Sequence, residues 1–442
     1  MGGGQVIHGM KQNLQVFKFG GASLQDPDSI RNVGQILAEY KDQGLLIVVS
    51  AIGKTTNKLE EIVAAHAAQN DKAAALFEDF KRAHIEICLA LFDADDEVFV
   101  SLNDALVEIE WALEEEPHED YDYAYDQVVS VGEMVSSIIV QAYLNKIGLK
   151  TQWLDARDVI LTDNAYREGW VQWDETQANA SRIVLPMLDQ GGFVLTQGFI
   201  GSTTENFTTT LGREGSDYTA AIFSFCLDAE SMTIWKDVPG VLTGDPRLFE
   251  NVTKLDLLSY KEAIEMTYYG AKVIHPKTIK PLQNKSIPLY VKSFIDPAGK
   301  GTYISDEVAD NYPPLVAVEK NQALLHISTR DFSFVAEHHM SHLFKMIADY
   351  RLQVNMMQNT AICFSICVND MEDKVERFSR AINDQFKVMV DRDLELITVR
   401  HYQKKILDEL RADRLVLLEE RIRETVQLVL KRVPVMKRKA VE

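Results

Sequence analysis

The chain has 442 residues, more than one compact core accommodates, so two to three domains are expected. Hydrophobic residues at 46% and charged residues at 25% describe an ordinary globular protein, and no apolar run reaches the length of about eighteen residues that marks a membrane span. A formal net charge of -20 disfavours nucleic acid, which calls for clustered Lys and Arg, yet a locally positive nucleotide pocket is compatible with it because screening sets in within about 8 Å at physiological salt.

Residues 1–13 carry no basic stretch followed by an apolar one and read as a flexible lead-in rather than a secretory signal. Residues 15–19, QVFKF, then form a short apolar run that stops at Gly20-Gly21. A helix follows, with Asp26 as its cap, Pro27 in its first turn, and Ile30, Val33, Leu37 and Tyr40 on one face. Gly44 ends it, and LLIVVSA reads as a strand buried on both faces, which completes a βαβ unit. The alternation continues with a helix after Asn57, a helix over 127–146, and strands at KTQWL, GFVLTQGF, MTIWK and PLYVKSF. Such a pattern predicts a parallel sheet covered by helices, with ligands at the carboxyl ends of its strands. Between residues 70 and 126 the pattern is helical and ends in EEEPHEDYDYAYD, read as a peripheral solvated insertion.

Residues 296–314 combine PAGKG, acidic residues and two adjacent prolines, as a domain boundary does. Beyond it LLHISTR, a helix over 337–349, LQVNMMQN, AICFSICV and a helix over 371–385 give a small α+β rhythm in the order βαββα with short links. LELITVRH, RLVLLEE and ETVQLVLK then form a related unit that has lost much of its helical content. The four cysteines, Cys88, Cys226, Cys363 and Cys367, are sparse and flanked by apolar residues, which suits buried thiols in a reducing cytoplasm, with Cys363 and Cys367 on one face of a strand.

Polar motifs fall at the strand ends. Lys18 followed by Gly20, Gly21 and Ser23 offers a cation and exposed amides to an anion, although a tight βα turn with an incidental lysine has the same spelling, and Walker spacing is absent. Ser50 and the run Gly53-Lys54-Thr55-Thr56-Asn57 suit a carboxylate or phosphate, or else a plain helix cap. Glu133 sits alone in the apolar VVSVGEMVSS, where burial demands a cation, supplied by a ligand ammonium or by a structural Lys or Arg. In LGREGSD, Arg213 offers a planar fork to a carboxylate, and Ser216 and Asp217 are placed to cap the helix that follows. Lys236 and Asp237, with Asp245 and Arg247 beyond them, equip a turn-rich loop for a nucleotide and its magnesium, and Lys272 is placed to reach that nucleotide. His275, before a proline, reads as a hydrogen-bonded structural histidine. His338, His339 and His342 share helical spacing but lack a third ligand at metal-binding distance in sequence, so no metal site is expected.

FKFGGASL, VVSAIGKTTN, VGE, LGREGSD, WKDVPGVLTGDPR and GAKVIHP occur in the order found in aspartate kinases, and the chain resembles that family over nearly its whole length. The resemblance implies an α/β fold: an amino-acid-kinase domain with a three-layer parallel sheet over 14–300, a linker over 301–319, and two small α+β ACT-type regulatory domains over 320–392 and 393–442, the second reduced. It implies ATP-dependent phosphorylation of the L-aspartate β-carboxylate, with magnesium carried by ATP. Lys18 and Asp217 would be the catalytic pair. Ser50, Thr56, Glu133, Arg213, Gly215 and Ser216 would bind aspartate, with Arg213 on the α-carboxylate and Glu133 on the α-ammonium. Lys18, Gly20, Gly21, Ser23, Lys236, Asp237, Arg247 and Lys272 would bind the nucleotide.

An amino-acid effector, lysine or threonine, would meet Asp331, Phe332, Asn355, Met356 and Thr360, and pairing of ACT-type strands would give a homodimer or homotetramer. Three positions depart from the family pattern. Glu214 replaces a frequent glycine, Leu242 a nucleotide-side tyrosine, and Asn355 an acidic residue that faces the effector amine in lysine-sensitive relatives. The readings in competition are another amino-acid-kinase member, acting on glutamate, acetylglutamate, carbamate or a nucleoside monophosphate, and a catalytically silent amino-acid sensor. The joint presence of Lys18, Glu133, Arg213, Asp217 and Asp237 favours the kinase.

Overall fold

The structure is a computed structural model that describes residues 14–270, 274–309, 311–331, 333–371 and 373–432. The chain forms two units, each described in turn.

In the first unit the elements run β1 (Gln15–Phe19), α1 (Pro27–Ala38), β2 (Leu45–Val49), α2 (Thr55–Ala67), α3 (Lys72–Leu91), α4 (Val98–Glu114), α5 (Tyr121–Val129), α6 (Val131–Lys146) and β3 (Thr151–Leu154). They continue as α7 (Trp173–Asp189), β4 (Phe193–Gln197), β5 (Ile200–Ser202), β6 (Thr208–Thr210), α8 (Gly215–Cys226) and β7 (Ser231–Lys236). The last are β8 (Leu257–Ser259), α9 (Tyr260–Tyr268), α10 (Pro276–Asn284), β9 (Leu289–Ser293) and β10 (Thr302–Ser305), with residues 265–268 of α9 clustering with the second unit. Eight strands form one sheet in the order β3-β4-β2-β1-β7-β9-β10-β8. The pairs from β3 through β9 are parallel, and β10 runs antiparallel to β9.

Local chemistry explains the start of this unit. The Asp26 carboxylate accepts from the Ser29 N–H at 2.7 Å and Pro27 opens α1, as its spelling predicts. Every residue of β2 is buried, because helices cover both faces of a parallel sheet. On β1 the alternation of side chains sends Phe17 and Phe19 into the main apolar core, where Phe19 stacks on Trp235 with centroids 5.8 Å apart.

The stretch from residue 70 to 126 is not a peripheral insertion. Phe77, Phe80, Cys88 and Leu91 of α3 and Leu102, Leu106 and Ile109 of α4 recur at helical spacing and join that same core. The run Tyr121–Lys146 is long and apolar enough to cross a membrane by length and composition, but 72% of its apolar window is buried within the protein, so it is a core helix.

The second unit contains β11 (Leu315–Thr329), α11 (Glu337–Asp349), β12 (Val354–Asn359), β13 (Cys363–Asn369), α12 (Lys374–Ala381), β14 (Phe386–Arg400), α13 (Lys404–Arg411), β15 (Arg414–Ile422) and β16 (Thr425–Arg432). Its single antiparallel sheet runs β12-β13-β11-β14-β16-β15. The two α+β rhythms are therefore present, but they share strands. β11 and β14 each have 15 residues and run through both halves, pairing with one another from Leu315↔Arg400 to Thr329↔Phe386. No linker spans 301–319, since Thr302–Ser305 is β10 and Leu315–Glu319 begins β11, and the boundary expected at residue 393 falls inside β14. The second half keeps α13, a helix its sequence pattern does not announce, with Leu407 and Leu410 buried under it. Leu242–Thr253 also clusters with this unit, where the Val316 N–H donates to the Thr243 carbonyl at 2.8 Å.

Candidate active site

The site of the first unit gathers at the carboxyl ends of β1, β2, β4 and β7. Lys18 points to the opposite face of β1 from Phe17 and Phe19, toward α8, which packs on that strand. The LGREGSD turn starts α8 at Gly215, so Asp217 lies in its first turn and meets Lys18 at 2.5 Å. Lys236, the last residue of β7, stands 3.8 Å from the other Asp217 oxygen. Burial alone would push the Asp217 carboxyl up, but the Lys18 and Lys236 ammonium groups outweigh it and hold the group below the usual carboxylate range. Neither Ser216 nor Asp217 caps α8 through its side chain, because both lie inside the helix; Glu214 occupies the cap position instead.

Glu133 opens α6 and is 4% exposed, inside the protein. Burial drives its carboxyl up to about 8, against the Ala51 backbone N–H that donates to it and the nearby charge of Lys18. Among the described residues its Oε2 has no hydrogen-bond partner. A buried carboxyl oxygen without a partner can take up a cation, which would favour the ionised form.

The loops after β1 and β2 are knitted together. The Gly53 N–H donates to the Gly21 carbonyl at 3.0 Å, and a Cβ at Gly21 would stand 2.4 Å from the Gly53 oxygen. Ser23 closes the turn by donating to the Gly20 carbonyl at 2.6 Å. The backbone carbonyl of Ser50 accepts from the Ser136 hydroxyl at 2.6 Å, one turn beyond Glu133. Thr56 and Asn57 lie within the first turn of α2, which starts at Thr55, and do not cap it.

Arg213 is exposed and, among the described residues, has no carboxylate partner. Beside it Glu214 takes a left-handed conformation, φ 55°, that favours glycine, and its buried Oε2 lacks a partner. His275 caps α10, its Nδ1 accepting from the Lys277 N–H at 3.2 Å, the structural role its sequence context predicts. Asp237 is exposed at the end of β7.

Lys18, Asp217 and Lys236 thus meet in one ion cluster, with Glu133 under the influence of Lys18. Arg247 does not belong to this unit; it lies in the second one, where its guanidinium pairs with Asp245 at 2.7 Å. Lys272 lies outside the described residues. Sequence reading missed Gly198, where a Cβ would stand 2.4 Å from that of Ser216; a glycine directly after the buried strand FVLTQ was the available signal.

In the second unit the residues expected at an effector diverge. The Asn355 amide donates to Gln322 at 2.8 Å and Asn369 at 2.7 Å, and Met356 is buried in the sheet core. Asp331 and Thr360 are exposed, and Phe332 lies outside the described residues. The rings of His338 and His339 face each other with nitrogens 3.1 Å apart, and His339 Nδ1 accepts from the Ala336 N–H. Among the described residues no three His, Cys, Asp or Glu side chains converge as a metal site does.

Known proteins agree with this architecture. The chain is 30% identical over 383 residues to the bifunctional aspartokinase/homoserine dehydrogenase 2 of Arabidopsis thaliana, covering 84% of this chain and 42% of that protein. It is 34% identical over 251 residues to the lysine-sensitive aspartokinase 3 of Escherichia coli, covering 55% of this chain and 54% of that one. The chain therefore spans about half, or less, of the length of these relatives. The E. coli aspartokinase III structure with aspartate and ADP superposes with a TM-score of 0.81 at 26% identity, covering 94% of this chain and 96% of that one. The same enzyme with lysine and aspartate superposes with a TM-score of 0.80 at 25% identity, covering 96% of each. The sequence profile of the amino acid kinase family matches residues 13–293, more than half of the 442 residues, and the chain belongs to that family.

Proposed function

We propose that the chain is an aspartate kinase, which transfers the γ-phosphoryl group of ATP to the β-carboxylate of L-aspartate. The observation that carries this reading is the buried Lys18–Asp217–Lys236 cluster at the end of the central strands, together with the buried carboxyl of Glu133, one oxygen of which has no partner among the described residues. The names of the similar proteins, and the aspartate and ADP held by a structural neighbour, support the substrate pair.

In the proposed reaction a β-carboxylate oxygen of aspartate attacks the γ-phosphorus, the bond to the bridging oxygen breaks, and ADP leaves with the electron pair. An aspartate side chain has a pKa of about 3.9, so the nucleophile is already ionised and no base is required. What the protein must supply is position and positive charge. Lys18 provides charge at the transferring group, and Asp217 fixes the direction of its side chain. Lys236 neutralises phosphate from the β7 side, and the Gly20-Gly21 turn lets backbone approach it. Glu133 receives the α-ammonium, and the free guanidinium of Arg213 receives the α-carboxylate. Magnesium chelated by the phosphates would add charge neutralisation at the oxygens that develop it.

A hydroxamate assay of acyl phosphate with ATP, magnesium and L-aspartate, with L-glutamate as control, tests the reading. Product is expected with aspartate alone; product from glutamate, or none from either, rejects it. Lys18→Ala is expected to lower kcat by roughly 10²- to 10³-fold while aspartate affinity changes little. An unchanged turnover number would remove Lys18 from its role.

The six-stranded second unit is proposed as an ACT-type regulatory region that answers to lysine or threonine and pairs between subunits. Asn355 is a neutral amide and so offers no charge to an effector amine, and its NH2 group already donates to Gln322 and Asn369. Titration of each amino acid into the same assay, and light scattering on the eluted protein, test regulation and assembly; no response to either amino acid and a monomer would dismiss both. A reducing compartment is the proposed setting for the four free thiols, of which Cys88, Cys226 and Cys367 are pushed up to about 12 by burial.

A further inference from the structure

Among the described residues the most buried carboxyl outside the site is that of Asp126 of α5, which is 0% exposed. One of its oxygens accepts from the backbone N–H of Arg167 at 2.9 Å and of Thr210 at 2.8 Å, and the other accepts from the Thr210 hydroxyl at 2.7 Å. Its neighbour Gln127 grips the same strand. The Gln127 amide donates to the Thr208 carbonyl at 2.8 Å and accepts from the Thr208 N–H at 3.3 Å. Two consecutive side chains of one helix therefore hold β6 at both its ends, in place of a sheet neighbour on that side.

β6 runs directly into Leu211-Gly212-Arg213-Glu214 and then α8, which carries Ser216 and Asp217. The loop that Asp126 also holds supports the same turn. The Gly169 N–H donates to the Thr210 carbonyl at 2.9 Å, Arg167 adopts a left-handed φ of 68°, and a Cβ at Gly212 would stand 3.2 Å from the Arg167 oxygen. Asp126 and Glu133 lie seven residues apart in the run Tyr121–Lys146, about two helical turns or about 10 Å, and so on one face. One helical run thus carries both the carboxylate that faces the site and the clamp on the turn bearing Arg213.

A fold-only explanation fits poorly. Burial opposes the charge on Asp126 and, despite three hydrogen bonds, pushes its carboxyl up to about 6, so it is ionised at neutral pH in a place where a neutral side chain would be less costly. What the charge secures is a single geometry for three donors from two segments.

We infer that Asp126, assisted by Gln127, is a positioning residue that sets the distance between the ammonium-binding Glu133 and the carboxylate-binding Arg213, and so selects the amino-acid substrate. The inference rests on the aspartate kinase reading for the identity of that substrate. Asp126→Asn keeps the volume and removes the charge, leaving one acceptor oxygen for three donors. KM for aspartate is expected to rise roughly tenfold or more, because misplacement of a clamp by about 1 Å has effects of that order, while KM for ATP stays within about twofold and the melting temperature falls only modestly, since buried donors lose part of their acceptor.

An unchanged KM for aspartate overturns the inference, as does a parallel loss of kcat, both KM values and melting temperature. Should Asp126→Asn fail to fold, Thr210→Val, which removes one of the three bonds at constant volume, decides it by the same split. Hydrogen exchange separates this outcome from the substrate reading. Faster exchange of the Thr210 and Arg167 amides in Asp126→Asn is expected whatever the substrate, and wild-type protein silent toward aspartate rejects the substrate reading alone. Unaltered protection of both amides overturns the clamp.

Discussion

Glu133 carries the sharpest pH consequence of any single residue. Its carboxyl is raised from an ordinary 4.5 to about 8 by burial, so at pH 7 the folded protein holds a proton there that the unfolded chain has released. Stability contributed through this group therefore falls as pH rises between about 4.5 and about 8. Binding of an ammonium ligand reverses the preference and expels the proton. Aspartate binding at pH 7 is expected to release close to one proton, read by calorimetry in buffers of different ionisation enthalpy, and KM for aspartate is expected to fall as pH rises from 6.5 toward about 8. Binding without proton release would mean that Glu133 does not meet the ammonium. Asp217 shows the opposite balance at the same depth, because two lysines face it where Glu133 has one backbone N–H and the more distant influence of Lys18. Residue type and local spelling identified both acids; only the packing around them decided which one stays charged.

At the scale of elements, the catalytic end of the sheet is made by loops that touch one another. Gly21 is the tightest case: a methyl group there meets the Gly53 oxygen at 2.4 Å and the Ala51 oxygen at 2.9 Å, both backbone atoms that cannot rotate away. Gly21→Ala is expected to part the two loops, raise KM for ATP roughly tenfold or more, and lower stability by about 1–3 kcal/mol through overpacking. A normal KM for ATP in that variant would detach the loop pair from the nucleotide. The neighbouring strand spelling QVFKFGG was legible as a βα turn with a lysine. Its contact with the β2 loop was not, because Gly53 lies far along the chain and no local pattern encodes the approach. The same holds for α5, whose acidic spelling suggests solvent, whereas Asp126 is fully buried beneath β6.

At the scale of the whole molecule, the second unit behaves as one body because β11 and β14 run through both of its halves. One apolar cluster joins Leu324, Met356 and Cys367 to Leu394, Leu396, Leu418 and Val429. A chain ending at Asp393 would strip Leu315–Glu319 of its pairing with Leu396–Arg400 and open that cluster. The truncated protein is expected to expose the Cys367 thiol, which is 0% exposed in the full chain, and to show it by rapid reaction with a disulfide reagent. Continued protection of Cys367 would mean that the first half folds without the second. The recurrent α+β rhythm announces two units, yet strand exchange between them involves pairing partners some eighty residues apart, so periodicity cannot detect it.

The sequence by itself determined the α/β class, the parallel character of most of the first sheet, the start of α1 and the set of polar residues at the strand ends, since periodicity and turn chemistry are local properties. It also placed α11 over 337–349 as observed. Tertiary structure alone decided that Lys236 joins the Lys18–Asp217 pair, that Arg247 belongs to the second unit, and that β11 and β14 unite the two halves of that unit. These are contacts between segments distant along the chain, set by which faces pack together, and the energy that selects them comes from burial that no short stretch can express.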